Sequence, residues 1–262
     1  MVRTKQTALV TGASAGLGRE LARLAAGDGH DLVLVARRRE RLEELATELT
    51  SAHGVQVIVI AADLSERAAP ADIAERLRAA GTRIDFLINN AGFGSCGPFS
   101  QAVLDREVEM IHLNIRALVQ LTHLFLPEML ARKRGRILNV ASVAGFVPGP
   151  YMATYYASKA FVLSFTEGLA GELLGTGVTI TASCPGPTET EFGAVAGSTK
   201  TKLFQRGVAT AAPVALHAYR AMMAGKVVAI PGLMNKLIAQ STRIAPRAWL
   251  RTIVAGLHRK RK

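Results

Sequence analysis

The chain has 262 residues, 49% hydrophobic and 20% charged, with a formal net charge of +12. This balance implies one folded domain with a sizeable core across residues 1–262, and no apolar run approaches the ~18 residues of a membrane span. Cys96 and Cys184 are too few for a disulfide framework or a Cys-based metal site, and the six histidines show no ligand spacing, so no metal is expected. Residues 1–7 (MVRTKQT) run into a strand without the apolar core of a secretory signal, which makes the cytoplasm the expected location. The positive charge is uneven: no Asp or Glu follows Glu191, whereas 13 Lys or Arg do. Such a field suits acidic substrates, carrier proteins or anionic lipid, or is a solvated basic face; no nucleic-acid partner is expected.

Thr7–Gly12 (TALVTG) reads as a short buried strand followed by a glycine-rich turn and a helix to about Asp28, the opening of a dinucleotide-binding βαβ unit. Gly12, Gly16 and Gly18, with Leu17 between them, let the backbone approach a pyrophosphate at a helix N-terminus, and Ser14 lies within reach of a phosphate. The second strand, DLVLVA, ends at Ala36, followed by Arg37. An acidic residue at this tip favours NAD and an arginine a 2′-phosphate, so Arg37 points to NADP. Arg38, Arg39 and Arg41 read as a solvated helix start balanced by Glu40, Glu43 and Glu44. The third strand runs into Asp63 and Leu64, with Asp63 placed either at a nucleotide or as a cap for the turn at Ser65. A helix from about Pro70 to Ala80 and the strand IDFLIN follow, leading into Asn89–Gly92. Asn89 is a candidate for holding the sheet together.

Apolar residues at 111, 115, 118, 125 and 129 predict a long helix over 101–132, bent at Pro127, with the polar Asn114 in its middle. GRILNVA then delivers Ser142 at the end of a buried strand. After the breakers Gly145, Pro148, Gly149 and Pro150, a helix from about Met152 to Leu174 carries Tyr155 and Lys159 four residues apart, on one face. A nearby ammonium stabilises a phenolate, so Lys159 is expected to lower the Tyr155 pKa from ~10 toward the working pH. Ser142 is placed to bond the same substrate oxygen.

TGVTITASCPGPTET supplies the sixth strand and a loop with Pro185, Gly186, Thr188 and Thr190. Residues 191–206 read as a lid over substrate, and 211–224 as a helix before the last strand, VVAI. A basic extension over about 233–262 closes the chain. Trp249, Leu250, Ile253, Val254 and Leu257 share a helical face there, flanked by Arg247, Arg251 and the terminal RKRK. Covering a substrate cleft or a neighbouring subunit is the first reading of this segment, and peripheral contact with an anionic membrane the second.

TGASAGLG near the start, NNAG at 89–92, Ser142 and, thirteen residues later, Tyr155 in YYASK together resemble the short-chain dehydrogenase/reductase family over nearly the whole chain. The resemblance implies a single-domain, doubly wound α/β sheet of about seven parallel strands with helices on both faces. It implies hydride transfer between NADP(H) and a carbonyl or secondary alcohol. Tyr155 would be the acid/base, Lys159 would bind ribose, Ser142 would orient the carbonyl, and Asn114 would hold a proton relay. Asp63 with Leu64, then Asn90, Ala91 and Gly92, would meet adenosine and its ribose. Pro185, Gly186, Thr188 and Thr190 would hold the nicotinamide end. The family also implies a homo-oligomer, a tetramer or dimer built through the two long helices. Two other readings stand beside it: a 3-oxoacyl thioester reductase acting on carrier-protein or CoA substrates, and a non-catalytic NADP-binding regulator.

Overall fold

A computed structural model describes residues 5–199, 201, 208–242 and 244–258. The described strands are β1 (Thr7–Thr11), β2 (Asp31–Ala36), β3 (Val57–Ala61), β4 (Phe86–Asn89), β5 (Gly135–Val140), β6 (Val178–Ser183), β7 (Thr188–Glu189), β8 (Ala209–Thr210) and β9 (Val228–Ala229). Seven of them form a parallel sheet in the order β3-β2-β1-β4-β5-β6-β9, while β7 and β8 pair separately. The central strands are buried on both faces, which is why they read as continuous apolar runs rather than alternating ones. The order reverses direction between β1 and β4, and a doubly wound sheet opens a crevice at the carboxyl ends of its strands at that point.

Helices α1 (Gly16–Gly27) and α2 (Arg39–His53) cover one face together with α8 (Ala211–Met223). The other face is covered by α3 (Ala69–Ala79), by the long helix comprising α4 (Leu104–Ile111) and α5 (Leu118–Ala131), and by α6 (Ala153–Glu172). The chain also forms a single turn, α7 (Phe192–Val195), and ends its described part with α9 (Leu233–Ser241) and α10 (Arg247–His258). Among the described residues, no helix is long and apolar enough to cross a membrane.

The predicted helix over 101–132 differs in two respects. A separate 3-10 turn occupies Phe99–Gln101, and a π-helical segment, His112–Ala117, interrupts the α-helix. A π turn closes i→i+5 in place of i→i+4 hydrogen bonds and rotates the face that follows by about 100°; the predicted stripe does not register this, and Ile111 on it is 42% exposed. The π segment carries Asn114. Asn89 does hold the sheet: in register with Asn139, its Nδ2 donates to Asn139 Oδ1 at 2.9 Å and to Thr122 Oγ1 at 3.2 Å.

Candidate active site

The turn after β1 requires glycine at three positions. Gly12 and Gly16 have positive φ, at 66° and 53°, and a Cβ on Gly18 would lie 2.3 Å from the Gly12 carbonyl oxygen. Asn90 fastens this turn, its Nδ2 donating to the carbonyls of Thr11 (2.9 Å) and Gly12 (3.3 Å). The Thr11 hydroxyl accepts from the amides of Asn90 and Ala91. A cradle of bare backbone at a helix N-terminus fits a pyrophosphate. Leu17 packs against the core behind it.

Cations gather at the β2 tip, with a division of labour the sequence did not reveal. Arg37 faces Asp63 and Glu109, each at 3.7 Å. Arg38, expected as a solvated helix start, instead donates to Ser14 Oγ in the glycine turn at 3.1 Å and pairs with Glu191 at 2.8 Å. Arg41 also pairs with Glu191 rather than with its own helix, whereas Arg39 keeps the local partner Glu43 at 3.5 Å. The Arg41 guanidinium, with Arg38, holds the Glu191 carboxyl below its ordinary value. Glu191 lies some 150 residues away in the chain, so only the fold brings it here. Asp63 accepts from the amide and hydroxyl of Ser65 (2.9 and 2.7 Å), the capping arrangement considered above, and Leu64 is buried.

Beyond the carboxyl end of β5, the extended backbone of Ser142 (φ −172°) starts a short 3-10 turn. The Ser142 hydroxyl accepts from Ala144 N (3.1 Å) and donates to Pro185 O (3.3 Å), which joins the β5 and β6 loops. Helix α6 places Tyr155 half-buried and Lys159 buried. The Lys159 Nζ donates to Val140 O at 2.7 Å and stands 5.8 Å from the centre of the Tyr155 ring. Gly92 sits against it, since a Cβ there would lie 3.6 Å from Nζ. The Asn114 side chain is fully engaged. It exchanges hydrogen bonds with the backbone of Phe93 (3.0 and 3.1 Å) and donates to Ser158 Oγ (3.0 Å), which donates to Tyr155 O (2.7 Å). The π segment is thereby tied to α6 one turn from the tyrosine.

The pKa shifts correct one expectation. Burial pushes the Tyr155 phenol up to about 12, with a Ser142 hydrogen bond pulling the other way, and burial lowers Lys159 to about 8. Desolvation of both groups outweighs the stabilisation of a phenolate by the ammonium, whose proton is directed at a backbone carbonyl.

Around Tyr155 the walls are apolar. Phe192 approaches at 5.0 Å between ring centres, and Met152, Ala144, Ala196 and Val254 form a cluster with Cys96 at its margin. Tyr156 belongs to the same cluster, its ring centre 6.0 Å from that of Tyr155. Its hydroxyl bonds His258 Nε2 at 2.6 Å, pinning the C-terminal helix to α6, and no spacing motif links those two residues in sequence. Thr188 closes on its own loop through Gly186 O, and Thr190 lies against the glycine turn, where a Cβ on Gly16 would meet its methyl at 2.9 Å. Within the expected lid, Phe192–Val195 forms α7 and Ala196 joins the apolar cluster. Residues 200 and 202–206 lie outside the described residues, as does the terminal RKRK.

A doubly wound parallel sheet with a glycine turn at its switch point, and a serine, tyrosine and lysine near the strand ends, is the arrangement of a dinucleotide-binding α/β fold. Comparison makes this specific. Residues 6–201 match the family described as short chain dehydrogenase, and the chain belongs to the short-chain dehydrogenase/reductase family. It is 39% identical to a very-long-chain 3-oxoacyl-CoA reductase of Anas platyrhynchos over 68% of this chain and 58% of that protein. It is 42% identical to sulfoacetaldehyde reductase 2 of Chromohalobacter salexigens over 70% of this chain and 73% of the relative. Among solved structures it resembles a short-chain dehydrogenase from Sphingobium yanoikuyae in complex with NADPH, with a TM-score of 0.81, 35% identity and coverage of 93% and 97% of the two chains.

Proposed function

We propose that the protein is an NADP(H)-dependent carbonyl reductase or alcohol dehydrogenase whose single domain carries both cofactor and substrate sites. The observation that carries this reading is the buried Lys159 5.8 Å from the centre of the Tyr155 ring, with Ser142 at the end of the neighbouring strand and a glycine turn that Arg38 reaches through Ser14. The cofactor would supply a hydride to the substrate carbon, or take one from it. Gly12, Gly16, Leu17 and Gly18 would hold its pyrophosphate, with Ser14, Arg37 and Arg38 at the 2′-phosphate. Asp63, Leu64, Asn90, Ala91 and Gly92 would line the adenosine side, and Pro185, Gly186, Thr188 and Thr190 the nicotinamide side. In reduction Tyr155 donates its phenolic proton to the carbonyl oxygen. With its pKa at about 12 it is protonated across the neutral range, so the resting enzyme already holds the acid form. Ser142, fixed by Ala144 and Pro185, orients that oxygen. Lys159 would bind the ribose and supply positive charge near the Tyr155 ring. Asn114 braces α6 through Ser158 and supports proton return from solvent.

Replacing Arg38 tests the cofactor preference. Losing one charge-assisted hydrogen bond to a phosphate is worth about 1.5–3 kcal/mol, so Arg38→Ala should weaken NADPH binding about 10- to 100-fold while NADH binding changes little. Fluorescence titration of both cofactors measures it. If Arg37→Ala moves the ratio and Arg38→Ala does not, the preference belongs to Arg37 alone.

A second reading, reduction of 3-oxoacyl thioesters, is supported by the relative of that name and by the apolar wall around Tyr155. A single experiment separates them: NADPH oxidation measured across aldehydes, ketones, steroids and acyl thioesters. The first reading expects the highest kcat/KM on free carbonyls, and the second on CoA- or carrier-linked ones. Cofactor binding without turnover on any of them would favour the regulator. We also propose self-association through the long helices, which expose Val108, Ile111 and Phe161.

A further inference from the structure

The C-terminal stretch leaves two helix faces uncovered. α9 turns Ala239 inward and exposes Leu233, Met234, Leu237 and Ile238. α10 turns Val254 and His258 inward, where they meet the Tyr156 cluster, and leaves Trp249 68% and Ile253 60% exposed. Ile244, between the helices, is 89% exposed. The spacings 233/237, 234/238 and 249/253 are one helical turn each, so the exposed residues form stripes rather than scattered positions. Apolar surface concentrated in this way marks an interaction site.

Charge decides what covers it. The described charged residues of this stretch, Lys236, Arg247 and Arg251, are basic and exposed, and the sequence contains no acid after Glu191. An isologous contact with a second copy would set cation against cation with no carboxylate from the stretch to pair them. Covering the cleft beside Tyr155 falls to the opposite face of α10, through Val254. An anionic bilayer offers an apolar interior for Leu, Ile and Met, an interfacial depth that suits Trp, and negative headgroups for the cations. We infer that α9 and α10 dock this protein peripherally on anionic lipid surfaces.

Trp249 is the only tryptophan, so its emission reads the docking directly. The full chain is mixed with phosphatidylcholine vesicles containing phosphatidylserine, or with phosphatidylcholine alone, and followed by fluorescence and co-sedimentation. The expected result is a blue shift and co-sedimentation with the anionic vesicles only, weakening as salt screens the attraction. Arg247→Gln with Arg251→Gln should reduce partitioning roughly thirtyfold. Ile253→Asp, at an exposed position, should abolish the shift while the fold, checked by circular dichroism, is kept. Four outcomes would overturn the inference. They are no shift with anionic vesicles, an equal shift with neutral ones, a lipid-free shift that grows with protein concentration, and a lipid-free shift produced by cofactor or substrate.

Discussion

Tyr155→Phe should lower turnover by about 10²–10⁴-fold, the range lost when a positioned proton donor is removed, while NADPH binding stays nearly unchanged. The substitution deletes one oxygen and keeps the ring, so the 5.0 Å packing against Phe192 and the apolar cluster around it persist. Steady-state kinetics with the best carbonyl from the screen, alongside a cofactor titration, measure both halves. Retained turnover would remove Tyr155 from the chemistry. The parent enzyme should also show asymmetric pH behaviour. Reduction uses the protonated phenol, which dominates below about 12; oxidation needs the phenolate, so its rate should climb with pH until Lys159 loses its proton near 8.

Lys159→Met should impair catalysis and cofactor affinity together, with little change in stability. The reason lies in two opposing effects at a buried cation. Depression of its pKa from 10.5 to about 8 means that the folded state disfavours the ammonium, by roughly 3 kcal/mol at pH 7, and methionine relieves that. The sign follows from the lowered value: this destabilisation is present in full below about pH 8 and fades as pH rises toward 10.5. Against it, the buried Val140 carbonyl loses its 2.7 Å donor, worth about 1–3 kcal/mol. Thermal melts of parent and variant at pH 7 should therefore agree within a few degrees. In activity, the parent's kcat/KM for reduction should be level below about pH 8 and decline above it as Lys159 loses its proton. The variant should lack that decline. A decline of equal size in the variant would assign it to another group.

That Ser142 follows a strand end and that Tyr155 and Lys159 share one helix was legible in residue types and spacing, because turn chemistry and one helical turn fix these placements with little help from the rest of the chain. The same holds for the glycine turn, where a Cβ added to Gly18 would lie 2.3 Å from the Gly12 carbonyl oxygen, and for the continuous apolar runs that became the parallel strands. The direction in which Tyr155 titrates was not legible. It depends on how completely water is removed from two groups, a property of packing rather than spacing.

What the sequence determined alone is local: which segments are strands, which turn must stay bare, which helix face carries a phenol and an amine. What tertiary structure decided is long-range. It directed Arg38 to Ser14 and, with Arg41, to Glu191, tied the π segment to α6 through Asn114 and Ser158, and brought His258 under Tyr156 across about a hundred residues. The physical reason is that periodicity and turn chemistry act over a few residues, whereas hydrogen-bond partners and desolvation are set by whichever distant side chains the closed sheet and its covering helices bring into contact.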